Sequence, residues 1–336
     1  MAVLDGVGRI TVVRLDALGD LILSVPFFIN LRRAFPDAEI TAVVRRYASG
    51  ALIGSPYVDR VLIYPEGGSV FAKASFAAGL RRGRPDLVFS LSPVTESYLV
   101  AAAAGGAVSV SYWYSGRPLS GLIVRSLFRR SCMIDVEGML ARGERVPHEV
   151  LQTFRLLELV GVEPEEVAAE IFPGESSLRL AEEECGDERF VGLHLSPKWL
   201  TCGWSDSDLA GVVSAISGSR PEFRIMLTYG GHDERAIADR LRPLLGGCDP
   251  LIKGGMPFSD WAAFVSRCSA FVSTDTGALH CAAALGVPVA AVYEPSTFDH
   301  CSAQWAPWMV RSKILRKPDP ATAPAEISAA VGELLA

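Results

Sequence analysis

The sequence predicts an α/β fold in which two doubly wound domains face each other across a cleft. Short apolar runs alternate with amphipathic segments of helical length, which is typical of parallel sheets. This alternation stops in a Glu-rich stretch, residues 162–189, that contains Pro164 and Pro173, and then it starts again. We therefore expect an N-terminal domain over residues 1–165 and a C-terminal domain over 166–336, connected by that stretch.

Runs of β-branched and aromatic residues predict the strands, and apolar residues at spacings of three and four predict the helices. The predicted strands are 10–15, 40–44, 60–64, 87–91, 190–195, 224–228, 270–273 and 287–292. The predicted helices are 21–35, 96–104, 120–130, 148–160, 205–217, 233–245, 259–268, 277–285 and 324–335. The last helix closes the second domain or packs back on the first.

Composition excludes several classes of protein. The 336 residues are 49% hydrophobic and 21% charged, which excludes a small disulfide scaffold, a coiled coil and a disordered chain. No apolar run is long and uninterrupted enough to span a membrane. The seven cysteines are odd in number and form no C-x-x-C pair, so neither a disulfide framework nor a zinc site is indicated. A reduced, cytoplasmic location is the simplest interpretation.

Charge divides unevenly along the chain. Residues 1–160 hold 18 Lys+Arg and 14 Asp+Glu, a net charge of +4, whereas residues 161–336 hold 14 and 24, a net charge of −10. This difference indicates two domains with different partners, although a random drift of surface charge would also produce it. Nucleic acid is not expected as a partner, because no basic run is interleaved with aromatic residues.

The segment from Arg14 to Asp20 follows the first predicted strand and is a candidate site. Ligands of doubly wound folds bind beyond the carboxyl ends of the strands. The segment has one glycine, Gly19, and so lacks the G-x-G-x-x-G pattern of dinucleotide binding. The carboxylates of Asp16 and Asp20 would repel phosphates and suit a general base. The alternative is that Asp20 only caps the helix predicted from Leu21.

A second candidate site is the segment from Ser273 to His280, between a strand and a helix. Gly277 allows a ligand to approach the backbone closely, and the free N–H groups at the helix start favour an anion such as a diphosphate. The side chains of Asp275 and Thr276 could bind hydroxyl groups, and His280 lies about one turn into the helix. The alternative is that Asp275 is an N-cap and His280 a buried core residue.

Two further strand ends carry polar residues. Lys198, after the first strand of the second domain, could neutralise a diphosphate or could be an ordinary solvated lysine. Asp233 and Glu234 could hold ribose hydroxyls or simply favour a helix N-terminus. The D-x-D pair of Asp206 and Asp208 could hold a metal, but its place in the first turn of a helix favours an interaction with the helix dipole.

Two motifs carry a family resemblance. The first is R-L-D-A-L-G-D-L-I-L-S-V-P at residues 14–26, followed by F-P-D-A-E-I-T at 35–41. The second is S-T-D-T-G-A-L-H-C-A-A-A-L-G-V-P-V at 273–289, followed by Tyr293-Glu-Pro-Ser and Trp305-Ala-Pro. With these motifs the chain resembles, over nearly its whole length, the heptosyltransferase family of inverting glycosyltransferases (family 9), which has the GT-B fold.

The resemblance implies transfer of a heptose from ADP-heptose to a hydroxyl group, typically on the inner core of lipopolysaccharide. It implies a catalytic role for Asp20 and a donor-binding second domain. The implied acceptor contacts are Arg14 and Arg117. Asp16 is also expected on the acceptor side, because its carboxylate lies in the same segment. The implied donor contacts are Asp233 or Glu234, Met256 (beside the adenine), Asp275, Thr276, Gly277 and His280. Lys198 is also expected on the donor side, because its charge could support the diphosphate. No metal or other cofactor is expected. The expected acceptor is an anionic glycan or a lipid-linked molecule, reached from the cytoplasm with peripheral contact at the inner membrane face.

The sequence departs from the family pattern at three places. The family lysine expected two residues before Trp204 is Cys202 here, and Lys198 is a candidate to replace it. The usual Gly-Pro-Thr after the last strand of the motif is Glu294-Pro-Ser. The stretch 91–96 lacks the family's usual polar character. These departures bear on the donor and the acceptor more than on the fold.

Three other functions remain as alternatives. The same fold could transfer a sugar to a soluble small molecule or to a protein. A non-catalytic protein that binds nucleotide sugars is a second alternative, and the retained Asp20 argues against it. A nicotinamide-dependent oxidoreductase is a third, and the missing glycine pattern after Leu15 argues against it.

Overall fold

The computed structural model describes Leu4 and residues 6–336. The chain forms two compact units, one ending at Ala169 and the other spanning Glu170–Ala336. Each unit is an α/β structure built on one parallel six-stranded sheet. The border between the units lies a few residues after the boundary expected from the sequence.

The first unit has the strand order β3-β2-β1-β4-β5-β6, and every neighbouring pair is parallel. Its strands are β1 (Arg9–Arg14), β2 (Glu39–Val44), β3 (Arg60–Ile63), β4 (Leu87–Ser90), β5 (Val108–Tyr114) and β6 (Arg130–Ile134). Its helices are α1 (Leu18–Ile22), α2 (Val25–Ala34), α3 (Val70–Arg82), α4 (Thr95–Ala104), α5 (Pro118–Leu127), α6 (Val136–Ala141) and α7 (Glu149–Glu158), with a 3₁₀ turn at Arg46–Ala51. In β1, the strand is buried from Ile10 onward, as expected for a strand covered on both faces.

The second unit repeats this architecture. Its strand order is β12-β11-β10-β7-β8-β9, which is the same topology counted from its own first strand. The strands are β7 (Phe190–His194), β8 (Arg224–Tyr229), β9 (Leu251–Gly254), β10 (Cys268–Thr274), β11 (Val289–Tyr293) and β12 (Ser312–Arg316). The helices are α8 (Glu175–Cys185), α9 (Asp206–Ser219), α10 (His232–Leu241), α11 (Phe258–Ser266), α12 (Gly277–Ala284), α13 (Phe298–Gln304) and α14 (Ala323–Leu335), and 3₁₀ turns lie at Pro197–Leu200 and Arg242–Leu244.

The helix predicted over residues 21–35 is in fact two helices. α1 ends at Ile22 and α2 begins at Val25, with Pro26 in its first turn. Proline lacks the N–H that would continue the hydrogen-bond ladder from α1, so the chain restarts a helix there instead of extending one. The prediction of a single helix was therefore wrong.

The expected connection, residues 162–189, contains the helix α8. Ser177, Ala181 and Cys185 recur every four residues, are buried, and form the inner side of this helix. The helix packs against α11 of the same unit. Because four of its eight other residues are glutamate, the composition resembles a linker even though one narrow stripe is buried.

Several elements were not predicted from the sequence: α3, β5, β6, α6, β9, α13 and β12. In β5, Ser109 and Ser111 interrupt the apolar pattern, yet both are buried, and Ser111 Oγ donates to the carbonyl oxygen of Ser90 at 3.2 Å. A strand with hydrogen-bonded serines inside a sheet does not have the apolar run that sequence patterns detect.

The cores lie between the sheets and their helices. In the second unit, α14 packs against α9, and both contribute to a cluster that includes Val213, Ile327 and Val331. In the first unit, a cluster around Tyr98, Trp113 and Phe128 covers one face of the sheet. Among the described residues, no helix is both long and apolar enough to cross a bilayer.

Gly192 of β7 tests how tightly the second sheet is packed. A Cβ atom at this position would lie 2.4 Å from Cδ2 of Phe271 and 2.9 Å from Sγ of Cys268. We predict that G192A lowers the free energy of unfolding by about 1–3 kcal/mol, because an added methyl group forces a close-packed core to shift. Urea denaturation measures this change.

The control is G218A, at an exposed helical position where nothing lies within 4 Å of the added Cβ atom. It should be neutral or stabilising by up to ~1 kcal/mol, because alanine favours helix more than glycine does. Equal stability of G192A and the wild type would contradict the packing argument.

Candidate active site

The first unit gathers polar side chains where the strand order of its sheet reverses, at the carboxyl ends of β1 and β4. Doubly wound sheets open a crevice at this point. Arg14 is the last residue of β1, and its side chain is 1% exposed. Its Nη1 donates to the carbonyl oxygen of Leu91, directly after β4. Arg14 thus joins the two strands at the edge where the site was predicted.

Three carboxylates surround this guanidinium. Nη2 lies 2.8 Å from Oε1 of Glu149 and 3.6 Å from Oδ1 of Asp20, and Nε lies 3.3 Å from Oδ2 of Asp16. Burial by itself would lower the pKa of Arg14, but the charges of Asp16, Glu149 and Asp20 outweigh burial and raise the pKa well above its usual value. The guanidinium is therefore a permanent positive charge beneath the site.

The three carboxylates differ in their access to solvent. The side chain of Glu149 is 3% exposed, whereas those of Asp16 and Asp20 are 19% and 25% exposed. Glu149 is thus an internal counter-ion of Arg14. Asp16 and Asp20 present carboxylates that are oriented by the cation and still open to a substrate.

The positions of Asp20 and Arg14 in the structure exclude one alternative for each residue. Asp20 lies within the first turn of α1, whose N-cap is Ala17, so it does not cap a helix beginning at Leu21. Arg14 is buried behind Asp16 and Asp20 instead of projecting into solvent. An acceptor contact by Arg14 stays a prediction, and its visible role is to hold the two aspartates.

Sequence reasoning missed Glu149. It is the first residue of α7 and contacts Arg14 across 135 positions of sequence. A buried arginine needs a buried acidic partner, so the sequence indicates that such a partner exists. No spacing rule indicates which glutamate it is.

Arg117 lies at the same edge, at the N-cap of α5. Its Nη1 donates to the carbonyl oxygen of Pro93 at 3.0 Å, and its guanidinium lies 5.8 Å from the ring centroid of Tyr114. The segment after β4 thus accepts hydrogen bonds from both arginines predicted for the acceptor side, at Leu91 and at Pro93.

The second unit has an equivalent edge at the carboxyl ends of β7 and β10. Ser196 Oγ and Thr274 Oγ1 lie 2.7 Å apart and connect the two strand ends. Lys198 Nζ lies 3.1 Å from Oδ2 of Asp275 and also contacts the carbonyl oxygen of that residue. The Lys198 side chain is 45% exposed. This lysine is therefore anchored at the edge while it keeps access to solvent.

The helix α12 begins at this edge with Gly277 as its first residue. Its N-cap is Thr276, so the alternative that Asp275 is the N-cap was wrong. Thr276 Oγ1 lies 3.1 Å from Ser273 Oγ. His280 is buried, at 4% exposure. The first-turn N–H groups of a helix have no partner within the helix and favour an anion.

Asp233 and Glu234 occupy different environments on α10. Glu234 Oε2 accepts hydrogen bonds from the N–H groups of Gly230 and Gly231, and Oε1 lies 3.5 Å from Nε2 of His194. Burial would raise the pKa of Glu234, but His194 and these N–H groups lower it overall. Asp233 is 89% exposed.

Met256 is partly exposed in the turn between β9 and α11. β9 neighbours β8 in the sheet, so Met256 lies at the same carboxyl edge as the start of α10, which follows β8.

Two of the departures from the family motifs contact each other. Cys202 Sγ donates to Oε2 of Glu294 at 3.0 Å, and this hydrogen bond is the main cause that raises the pKa of the thiol. Glu294 Oε1 accepts from Lys317 Nζ at 3.2 Å and from Thr201 Oγ1. Sequence reasoning did not single out Lys317, which stands directly after β12 with a side chain 1% exposed.

The D-x-D pair serves the structure of α9. Asp208 forms a capping box with Ser205, and Asp206 lies 2.8 Å from Arg240. Across Leu4 and residues 6–336, no group of three or more His, Cys, Asp or Glu side chains is arranged to hold a metal ion.

Two cavities of the first unit lie away from these edges. One, of about 270 Å³, lies at the amino ends of β1 to β3 beside Arg9, Arg60 and Arg82. The other, of about 480 Å³, lies beside α7 near Leu151 and Phe154. Neither is lined by a residue predicted for the site.

Comparison with known proteins agrees with the motifs. The family model for glycosyltransferase family 9 (heptosyltransferase) matches residues 74–330. The chain is 21% identical to lipopolysaccharide heptosyltransferase 3 of Escherichia coli K12 over 306 residues, which cover 86% of this chain and 82% of that protein.

Solved structures share the fold. A family 9 glycosyltransferase from Veillonella parvula superposes with a TM-score of 0.82 at 20% identity, covering 100% of this chain and 99% of that one. An E. coli heptosyltransferase solved with ADP superposes with a TM-score of 0.73 at 17% identity, covering 97% of this chain and 99% of that one. The same enzyme has also been solved with ADP-2-deoxy-2-fluoro heptose.

The contacts of Glu294 predict a dependence of stability on pH. Burial would raise the pKa of Glu294, but hydrogen bonds from Cys202 and Thr201 and the charge of Lys317 lower it overall. A carboxyl group whose pKa is lower in the folded state stabilises the protein above its unfolded pKa of about 4.3 and loses this effect as pH falls through the folded value.

We therefore expect the free energy of unfolding to fall more steeply below about pH 4.5 in the wild type than in E294Q. Urea denaturation at a series of pH values measures both curves. Above about pH 6 the difference between the two proteins should be constant, which serves as the internal control. Parallel curves at acid pH would contradict the assignment.

Proposed function

Since this chain belongs to glycosyltransferase family 9 and is a glycosyltransferase, we propose that it transfers a heptose or a related sugar from ADP-heptose to an acceptor hydroxyl in assembly of the lipopolysaccharide inner core. The observation that carries the proposal is Asp20, a partly exposed carboxylate held by a buried guanidinium at the carboxyl edge of its sheet. A non-catalytic binding protein has no need of such a group.

The proposed reaction is a single in-line displacement. The Asp20 carboxylate takes the proton of the acceptor hydroxyl, and the acceptor oxygen forms a bond to the anomeric carbon. The bond from that carbon to the diphosphate oxygen breaks, and ADP leaves with the electron pair, so the configuration inverts. Asp20 suits this step because the charge of Arg14 fixes its orientation while solvent access leaves room for a substrate.

The second unit is the proposed donor-binding domain. The start of α12 and the Lys198 ammonium would stabilise the charge that develops on the departing diphosphate. Asp275 and Thr276 stand at the same edge as candidates for hydroxyl contacts. Asp233 fits a ribose contact better than Glu234, because both carboxylate oxygens of Glu234 already have partners.

The first unit is the proposed acceptor-binding domain. Residues 97–134 contain four arginines and no acidic residue, which favours an anionic glycan or a lipid-linked acceptor. On α5, Leu119 is 75% exposed and Leu122 is 63% exposed. Exposed leucines beside arginines are typical of helices that lie on an anionic membrane surface. We propose a cytoplasmic protein that contacts the inner membrane face through α5.

The donor is tested by thermal shift with ADP-, GDP-, UDP- and dTDP-linked sugars. A ligand at about 100 times its Kd stabilises the folded state by about 2.7 kcal/mol, so the true donor raises Tm and the others do not. Stabilisation by another nucleotide sugar, with none by ADP-heptose, would overturn the donor assignment and leave the reaction class standing.

The catalytic role of Asp20 predicts a specific kinetic change. D20N should lower kcat by about 10²–10⁴-fold with the KM for ADP-heptose nearly unchanged, because the variant loses the proton acceptor but not the donor site. The matched control is D37N, at an exposed aspartate of the same unit, which should keep wild-type turnover. Near-normal turnover of D20N would refute the assignment.

Membrane contact through α5 predicts binding to vesicles that contain about 30 mol% phosphatidylglycerol and weak binding to neutral vesicles. R125Q/R129Q, which changes one arginine on α5 and one just after it, should weaken binding about fivefold per arginine, since each contributes about 1 kcal/mol near an anionic surface. L119S/L122S should also weaken it. L244S, at an exposed leucine of the second unit, is the control. Sedimentation with vesicles measures each, and unchanged binding of both double variants would exclude α5.

A further inference from the structure

A buried ammonium fixes the loop that carries Lys198. Lys317 Nζ donates to the carbonyl oxygen of Lys198 at 2.6 Å, and to the carbonyl oxygen and Oγ1 of Thr201 at 3.0 and 2.6 Å. The backbone N–H of Lys317 donates to the carbonyl oxygen of Tyr293 at 2.8 Å, so the backbone of this residue is anchored to β11. Lys317 therefore fixes the loop between β7 and α9 at two residues, Lys198 and Thr201.

The same loop is held again at its far end. Trp204 Nε1 donates to the carbonyl oxygen of Pro318 at 3.1 Å, and the Lys317 ammonium lies 5.4 Å from the centroid of a Trp204 ring. Between these anchors, Cys202 has φ of +55°, a conformation that L-residues rarely adopt. Such a backbone persists only where its surroundings determine it.

The charge balance explains why a lysine can be buried here. Glu294 accepts from Lys317 through Oε1 and from Cys202 through Oε2, so both carboxylate oxygens are used. A positive charge thus stands beside the position where the family motif predicts a lysine and this chain has Cys202. The cation comes from the end of β12, and its side chain is 1% exposed, so it is not itself open to a ligand.

We propose that Lys317 is a positioning residue that acts on the donor through Lys198. By holding the backbone of residues 198 and 201, Lys317 keeps the Lys198 ammonium beside Asp275 at the start of α12. Lys198 then supplies the exposed positive charge that the family places two residues before the tryptophan. This inference rests on the proposed function, because it assumes that a nucleoside diphosphate binds at that edge.

A double-mutant cycle tests the proposal, with the Kd of ADP for the full chain measured by isothermal titration calorimetry. K198M removes a charged contact and should weaken ADP binding about tenfold or more. K317M should weaken it to a similar extent. K198M/K317M should be no weaker than K198M alone within about twofold, because Lys317 acts only through Lys198.

Two further variants supply a second test of the proposal and a control. T201V removes one acceptor of the Lys317 ammonium at an exposed residue without leaving an uncompensated buried charge, so it tests the proposal even if K317M does not fold. It should weaken ADP binding by a few-fold, and this effect should disappear in the K198M background. K313M, at a half-exposed lysine of β12, the strand that precedes Lys317, should bind ADP like the wild type.

The outcomes separate this inference from the proposed function. If the wild type binds ADP and the effects of K198M and of K317M or T201V multiply, Lys317 does not act through Lys198 and the inference fails alone. A folded K317M with wild-type affinity overturns it in the same way. If the wild type binds neither ADP nor ADP-heptose, the proposed function fails and this inference fails with it.

Discussion

The first unit depends on one buried charge. A guanidinium removed from water is tolerated only when its charge is balanced, and at Arg14 the partners come from three separate segments of the chain. The residues after β1, the residues after β4 and the start of α7 all meet at this group. Their arrangement leaves Asp16 and Asp20 partly exposed above the cation. The stability of the edge and the orientation of its carboxylates therefore have the same cause.

The second unit uses the same topology with different chemistry. In both sheets the candidate residues stand where the strand order reverses, between β1 and β4 and between β7 and β10. Neighbouring crossovers leave these strand ends in opposite directions, so side chains there are not covered by a connecting helix. At the first edge the partly exposed groups are carboxylates, and at the second they include an anchored lysine and a helix start. Topology thus explains where each set of residues lies, and residue type explains what each set can do.

The contact between Cys202 and Glu294 shows how sequence departures can be related in space. In the sequence, Cys202 and Glu294 are two separate departures from the family motifs. In the structure they are hydrogen-bonded to each other, and Glu294 balances the buried Lys317. A positive charge therefore stands near this loop, and it comes from a residue 115 positions further along the chain than Cys202.

The sequence by itself determined the fold class, the strands around both reversal points and the two polar edges, because hydrophobic period and strand-end motifs are local signals. It was wrong where local signals mislead: Pro26 splits a helix, and α8 hides a buried stripe within a glutamate-rich surface. Only the tertiary structure decided that Arg14 is buried, that Glu149 is its counter-ion and that Lys317 stands under Lys198. Such pairings join residues more than 100 positions apart, and electrostatic matching of buried groups depends on distance in space, which no spacing in the sequence encodes.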